Sequence, residues 1–243
     1  MCNCNYKHIK WDSDFFGFKV AQILKTGVNE SNLPLILKQL KTDNYRLIYW
    51  QIPNYDHDAV YIARKYGGFL ADEKIVYHKK LDSLAKMDHT NVLYNATFYE
   101  YMEPETDLVK LALVSGEYSR YKSDPHFPKN LFEELYRCWI TRSVHKEIAW
   151  ETLIVRDCTK ILGMLTLGEN NQRGDIGLLA VAPECRRKGI GKLLVEKAGQ
   201  YFVQNGYSAV QVVTQSRNTA ARILYESCGY AAEKQTFFFH FWL

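Results

Sequence analysis

No stretch of this sequence approaches the roughly 20 consecutive apolar residues that a membrane-spanning helix needs. The longest, residues 176–183 and 237–243, fall far short of that. The amino terminus, Met1-Cys-Asn-Cys-Asn-Tyr-Lys-His, carries no apolar segment of signal-peptide length, so the chain is expected in the cytoplasm and away from membranes. A strong charge of one sign is also missing, since 31 basic and 27 acidic residues leave a net charge of +4. Nucleic-acid binders concentrate excess Lys and Arg on one face, and this balance does not point to one. The six cysteines, at 2, 4, 138, 158, 185 and 228, form no Cys-x-x-Cys pair and no zinc-ribbon spacing. In a reducing compartment they are expected as free thiols. Cys2, Cys4 and His8 offer three ligands at a chain end, a poor basis for a metal site, and none is expected. The sequons at Asn29 and Asn95 carry no weight in a chain that is not secreted. Internal repeats and low-complexity tracts are absent.

What is present suits one large globular domain or two modest ones: 243 residues, 47% apolar and 24% charged, with a mean hydropathy of −0.30. A soft boundary falls at residues 82–92, which separates a small α/β lobe (residues 1–90) from a larger domain (residues 91–243). In the lobe, residues 46–53 read as a strand, 55–66 as a helix stopped by Gly67-Gly68, and 75–78 as a strand. In the larger domain, residues 131–142 read as a helix. Strands at 149–155, 160–167 and 175–181 follow one another through a turn at 156–159 and a polar loop at 168–174, which implies an antiparallel meander.

After Pro183 the apolar period changes. Ile190, Leu193, Leu194, Ala198, Tyr201 and Phe202 mark one face of a helix that Asn205-Gly206 ends. A buried strand at 209–214, a helix at 218–227 stopped by Gly229, and a strand at 236–242 complete the chain. A strand, a helix and a strand in that order make a right-handed crossover between parallel neighbours. The expected fold is α/β (α+β): a mixed sheet with an antiparallel meander and then a parallel β-α-β unit. The very apolar terminal strand fits burial within one chain or a homodimer contact.

The segment Ala182-Pro-Glu-Cys-Arg-Arg-Lys-Gly-Ile-Gly-Lys192 lies between a strand and a helix. It packs Arg186, Arg187, Lys188 and Lys192, with Gly189 and Gly191, into a helix start. Unpaired amides, the helix dipole and nearby cations all favour an anion there, and glycine lets the backbone approach a phosphate. A Walker loop is absent. A dinucleotide fingerprint fails because Leu194 stands where a third glycine is needed and residues 210–215 hold no carboxylate. A capped helix start with a solvated basic face remains the alternative for this segment alone. Two further features agree with the anion site: Asn218 opens the next helix, and Tyr225 follows seven residues later on nearly the same face.

With these motifs, residues 91–243 resemble the GNAT superfamily of acetyl-coenzyme A-dependent N-acetyltransferases. The resemblance implies that Leu179, Ala180 and Val181 pair with the pantetheine arm and that the amides of residues 187–192 hold the pyrophosphate. It also implies that Asn218 contacts the coenzyme, here a co-substrate with no metal, and that Tyr225 protonates the departing thiolate. An amide near Ala180 would hold the oxyanion. Cys185, beside two arginines, offers a rival nucleophile, though it sits at the phosphate end and direct transfer is favoured. His126, Glu117, Glu169 or a water relay could serve as base. Trp11, Phe15 and Phe16 in one aromatic–acidic cluster, Arg120, Asp124 and His126 in a turn-rich stretch, and the terminal Phe239-His240-Phe241-Trp242 further resemble the TDP-fucosamine acetyltransferases (WecD type). That likeness implies a small-molecule acceptor, a nucleotide-linked amino-deoxy sugar, contacted by those six residues. Phe239 departs from it, since that group tends to carry Tyr before His.

Overall fold

The computed structural model describes residues 6–24, 27–81 and 94–243. Along the chain come β1 (Tyr6–His8), α1 (Lys10–Phe16), β2 (Lys19–Ile23), α2 (Leu33–Thr42), β3 (Tyr45–Pro53), α3 (His57–Lys65) and β4 (Phe69–Lys80). There follow β5 (Ala96–Phe98), α4 (Thr106–Ser115), α5 (Arg120–Ser123), α6 (Leu131–Val144), β6 (Glu151–Asp157), β7 (Lys160–Asn170) and β8 (Arg173–Val181). The last elements are α7 (Ile190–Gln204), β9 (Ala209–Gln215), α8 (Thr219–Ser227) and β10 (Ala231–Trp242). Two compact units emerge. The first is Met1–Lys74, Ser123–Pro128 and Lys234–Leu243, and the second is Ile75–Lys122 and Lys129–Glu233. The expected boundary at residues 82–92 lies outside the described residues.

In the first unit the strand order is β1-β2-β3-β10. Strands β2 and β3 run parallel because α2 carries the chain back between them. Leu33, Ile36 and Leu40 of α2 recur at helical spacing and are buried beside Trp50 and Ile52 of β3. Helix α3 begins at Asp56, whose carboxylate accepts the Ala59 N–H at 3.1 Å, and its exit needs Gly67 at φ 83°. The terminal strand joins this sheet, antiparallel to β3 from Thr236↔Pro53 to Trp242↔Leu47. Phe239 and Phe241 fill the core of this unit, so the apolar face of β10 is covered within the chain. Phe239, where the resembling group carries Tyr, is wholly buried opposite Trp50, so a hydroxyl there would need an internal partner.

The second unit carries the expected meander as β6-β7-β8, with the unexpected β5 added antiparallel to β6 and with β9 parallel to β8. One expectation is corrected. Residues 168–174 are not a polar loop, because Gly168 and Glu169 pair with Asp175 and Gly174. The turn is only Asn171 and Gln172, at φ 53° and 61°, the two-residue hairpin that matches strand twist. Alternation along the strands separates two cores. Leu153, Val155, Leu165 and Leu167 pack with α7 and α8, whereas Ile154 and Met164 pack with α4 and α6. Helix α7 lies close to β7 because Gly163 has no side chain; a Cβ there would sit 2.8 Å from Ile190 Cγ2.

Candidate active site

Strands β8 and β9 form a fork. They pair at Gly174↔Val210, Asp175↔Gln211 and Ile176↔Val212, and no further. Beyond Ile176, β8 bulges against β7, so that Gly177 and Leu178 together stand opposite Thr166. Pairing with β7 then resumes at Leu165↔Leu179, Met164↔Ala180 and Gly163↔Val181, and the Ala182 N–H donates to Leu162 C=O at 2.8 Å. Antiparallel rungs alternate between bonded and unbonded pairs. The Ala180 main chain therefore faces β7, while Leu179 and Val181 turn their N–H and C=O groups into the fork. The Ala180 amide, near which an oxyanion donor was expected, is thus spent on the sheet, and the amides left outward are those of its neighbours.

At the end of β8 the chain makes a short turn over Pro183–Cys185 and enters α7. Arg187 at φ 64° and Gly189 at φ 81° bend the backbone through the left-handed region just ahead of the helix. Among the described residues, no protein acceptor takes the N–H groups of residues 187–192; the first paired amide is that of Leu193, to Gly189 C=O at 3.0 Å. Six successive free donors thus sit at a positive helix end. Arg186, Arg187 and Lys188 are exposed, while Lys192 lies 3.6 Å from Glu196. Gly191 serves packing: a Cβ there would meet Leu224 Cδ2 at 3.1 Å.

Fork and turn open on one cavity of about 370 Å³ in the second unit. Of the eleven residues expected to hold the coenzyme, all but Lys188 line it. Asn218 does so while capping α8, its Oδ1 accepting the Ala221 N–H at 3.2 Å. The sequence reading missed Val114, Ser115 and Tyr118 at the end of α4 and beyond, and Ile223, Leu224 and Ser227 of α8. Tyr225 is buried in the core between Tyr77 and Tyr230, at ring separations of 5.9 and 6.0 Å. Tyr225 itself is not among the residues that line the cavity, though its chain neighbour Leu224 is, and burial raises the Tyr225 phenol above the usual range. Cys185 is buried in the same core and also lines the cavity. Of the candidate bases, Glu117 is exposed on the cavity wall. Glu169 instead accepts the Tyr207 hydroxyl at 2.5 Å, a bond that pushes that phenol up to about 12. His126 belongs to the first unit.

The comparisons with known proteins agree with this geometry. Residues 115–230, which contain the bulge, the fork, the turn, α7 and α8, match the acetyltransferase (GNAT) family. Residues 115–230 thus form a GNAT acetyltransferase domain. Members use acetyl-CoA to acetylate amines, and the free amides and outward strand groups fit that co-substrate. The spore coat polysaccharide biosynthesis protein SpsD of Bacillus subtilis is 23% identical over 98% of this chain and 82% of its own. N-alpha-acetyltransferase 30 of Xenopus laevis is 41% identical over 66 residues, 27% of this chain and 24% of its own. A GCN5-related N-acetyltransferase from Sphaerobacter thermophilus shares the fold, with a TM-score of 0.64 at 15% identity over 98% of this chain and 76% of its own. Among the described residues no cluster of three or more His, Cys, Asp or Glu could hold a metal ion; Cys2 and Cys4 lie outside them.

Five of the six residues expected to face the acceptor lie in the first unit of this acetyltransferase. Half-buried Trp11 stacks on half-buried Phe15 (5.2 Å, 10°), and half-buried Phe16 packs on the buried Phe127 (5.4 Å). Asp124 is corrected. Its carboxylate is wholly buried and takes His240 Nδ1 at 2.6 Å, Trp242 Nε1–H at 2.9 Å, and the His126 ring and N–H at 2.7 and 3.0 Å. With every oxygen engaged, it anchors Ser123–Pro128 to β10 and has nothing left for a substrate. His126 is held by that bond, with about half its side chain exposed. Arg120, in the second unit, lies over the Tyr121 ring at 4.3 Å and bonds its hydroxyl.

Burial alone would raise the Asp124 carboxyl, but the bonds from His240, His126 and Trp242 outweigh it and hold the group well below the usual carboxylate range. A depressed folded-state pKa stabilises above the unfolded value of ~3.9 and is lost as pH falls through the folded one. The first unit should therefore weaken progressively below about pH 4. Asp124→Ala, which strands buried donors, should cost about 3–5 kcal/mol in urea denaturation and flatten that acid dependence. Wild-type stability in the variant would remove the anchor role.

Proposed function

We propose that this acetyltransferase moves the acetyl group of acetyl-CoA directly to the amino group of a nucleotide-linked amino-deoxy sugar. The acceptor reading rests chiefly on the extent of one similarity. The likeness to SpsD, a polysaccharide biosynthesis protein, runs through 98% of the chain and so includes the first unit. The likeness to the N-alpha-acetyltransferases covers only 66 residues. The stacked Trp11 and Phe15 of the first unit provide ring surface of the kind a nucleobase uses.

In this reading the free amides of residues 187–192 bind the coenzyme diphosphate, and the outward main chain of Leu179 and Val181 aligns the thioester-bearing arm. The neutral amine attacks the thioester carbon, and an outward amide of β8 stabilises the oxyanion. As the C–S bond breaks, Tyr225 protonates the sulfur, and Glu117, directly or through water, takes the proton the amine loses. Proton loss and gain balance, giving an amide and free coenzyme A.

Thiol release assayed with acetyl-CoA and TDP-4-amino-4,6-dideoxy-D-galactose, beside a panel of peptides, tests the acceptor. Turnover with the sugar and none with peptides is expected. The reverse would assign a peptide amino terminus, and coenzyme binding with no thiol release from any amine would leave a non-catalytic binding module.

A further inference from the structure

Strand β8 parts from β9 at a defined rung, and a side chain of β7 lies beside it. Up to Ile176 the two strands are paired, and Gln211 Nε2 donates to Asp175 Oδ1 at 2.8 Å across the last rungs. Over the next two residues the Leu178 N–H leaves the ladder and donates to Thr166 Oγ1 at 2.8 Å. Thr166 is 3% exposed, so water is a poor substitute for that acceptor. The same oxygen occupies the space over Gly177, where a Cβ would lie 2.7 Å from it. Hydroxyl and glycine are therefore complementary: one accepts the stray amide, the other leaves room for the hydroxyl.

The consequence extends beyond a local kink. A one-residue change in register reverses which main-chain groups face each neighbour. With the bulge, Leu179 and Val181 face the fork and Ala180 bonds to β7. Absorbing the extra residue into regular pairing would bond Leu179 and Val181 to β7 and leave only Ala180 outward.

We propose that Thr166 is a positioning residue for acetyl-CoA, its hydroxyl locking the register that presents the Leu179 and Val181 main chain to the coenzyme. It touches no substrate and acts through the Leu178 amide. The proposal rests on use of acetyl-CoA and not on the identity of the acceptor.

Thr166→Val keeps the branched shape but removes the acceptor, and Thr166→Ser keeps the acceptor. Calorimetric titration with acetyl-CoA alone, which needs no acceptor amine, should show at least about tenfold weaker binding for Thr166→Val. Thr166→Ser should recover most of the affinity. Amide hydrogen exchange at Leu178 should be slow in the wild type and Thr166→Ser and fast in Thr166→Val. Binding by Thr166→Val within about twofold of wild type, or Thr166→Ser binding as weakly as Thr166→Val, would overturn the proposal. If Thr166→Val does not fold, Gly177→Ala decides, since its Cβ displaces the same hydroxyl from the facing strand. Weakened binding by folded Gly177→Ala supports the register lock, and wild-type binding refutes it.

Discussion

Replacing Tyr225 with Phe is expected to lower kcat by about 10²–10⁴ while leaving the fold and the affinity for acetyl-CoA in place. The substitution isolates the hydroxyl, because the ring contacts with Tyr77 and Tyr230 are all a Phe can make. That hydroxyl makes no hydrogen bond among the described residues, so its loss strands no partner and should cost little stability. Its chemical value lies in staying protonated. Burial disfavours the phenolate and so keeps the group protonated beyond the ordinary phenol range. The thiolate leaving group, with a thiol pKa near ~8.5, departs more easily when it receives a proton as the bond breaks. Because the pKa is raised, Tyr225 should add no alkaline limb to the kcat profile near the ordinary phenol value of ~10. Steady-state kcat beside thermal denaturation checks the assignment: wild-type turnover in a stable Tyr225→Phe protein would leave Tyr225 as a core aromatic and nothing more.

What could be read from the chain and what could not divides along a physical line. The start of α7 was legible because its signal is local: cations and two glycines between a strand and a helix, with Asn218 placed to cap α8. Asp124 was misread as a substrate contact because its partners His240 and Trp242 lie 116 and 118 residues away, and nothing beside it in sequence announces them. Helix α1 went unread because its seven residues bury none of their number, so no periodic face exists to detect. Helix α2 also went unread, although Leu33, Ile36 and Leu40 carry the period and Pro34 marks its first turn. The loop expected at 168–174 followed from clustered Gly and Asn, whereas ladder pairing overrode local preference on either side of Asn171 and Gln172. Gly177 was the unread clue to the fork, an isolated glycine within an apolar strand being a usual mark of a bulge.

Gly189→Asp should weaken acetyl-CoA binding at least tenfold, about 1.4 kcal/mol, without unfolding the protein. The position suits the experiment because a Cβ there meets nothing within 4 Å, so a side chain enters open space beside the free amides. A carboxylate at ~6 Å from a diphosphate charge costs about 1–3 kcal/mol at the intermediate dielectric of a protein surface. Backbone strain is the competing effect, since Gly189 sits at φ 81° and any side chain pays to remain there. Gly189→Asn separates the two, having nearly the shape and the left-handed tolerance of Asp but no charge. Charge repulsion predicts a large gap between the two variants that narrows as salt rises; strain predicts equal losses at every salt concentration. Equal losses would mean that φ, and not an anion at this turn, explains the glycine. Unchanged affinity in both would remove the diphosphate from the start of α7.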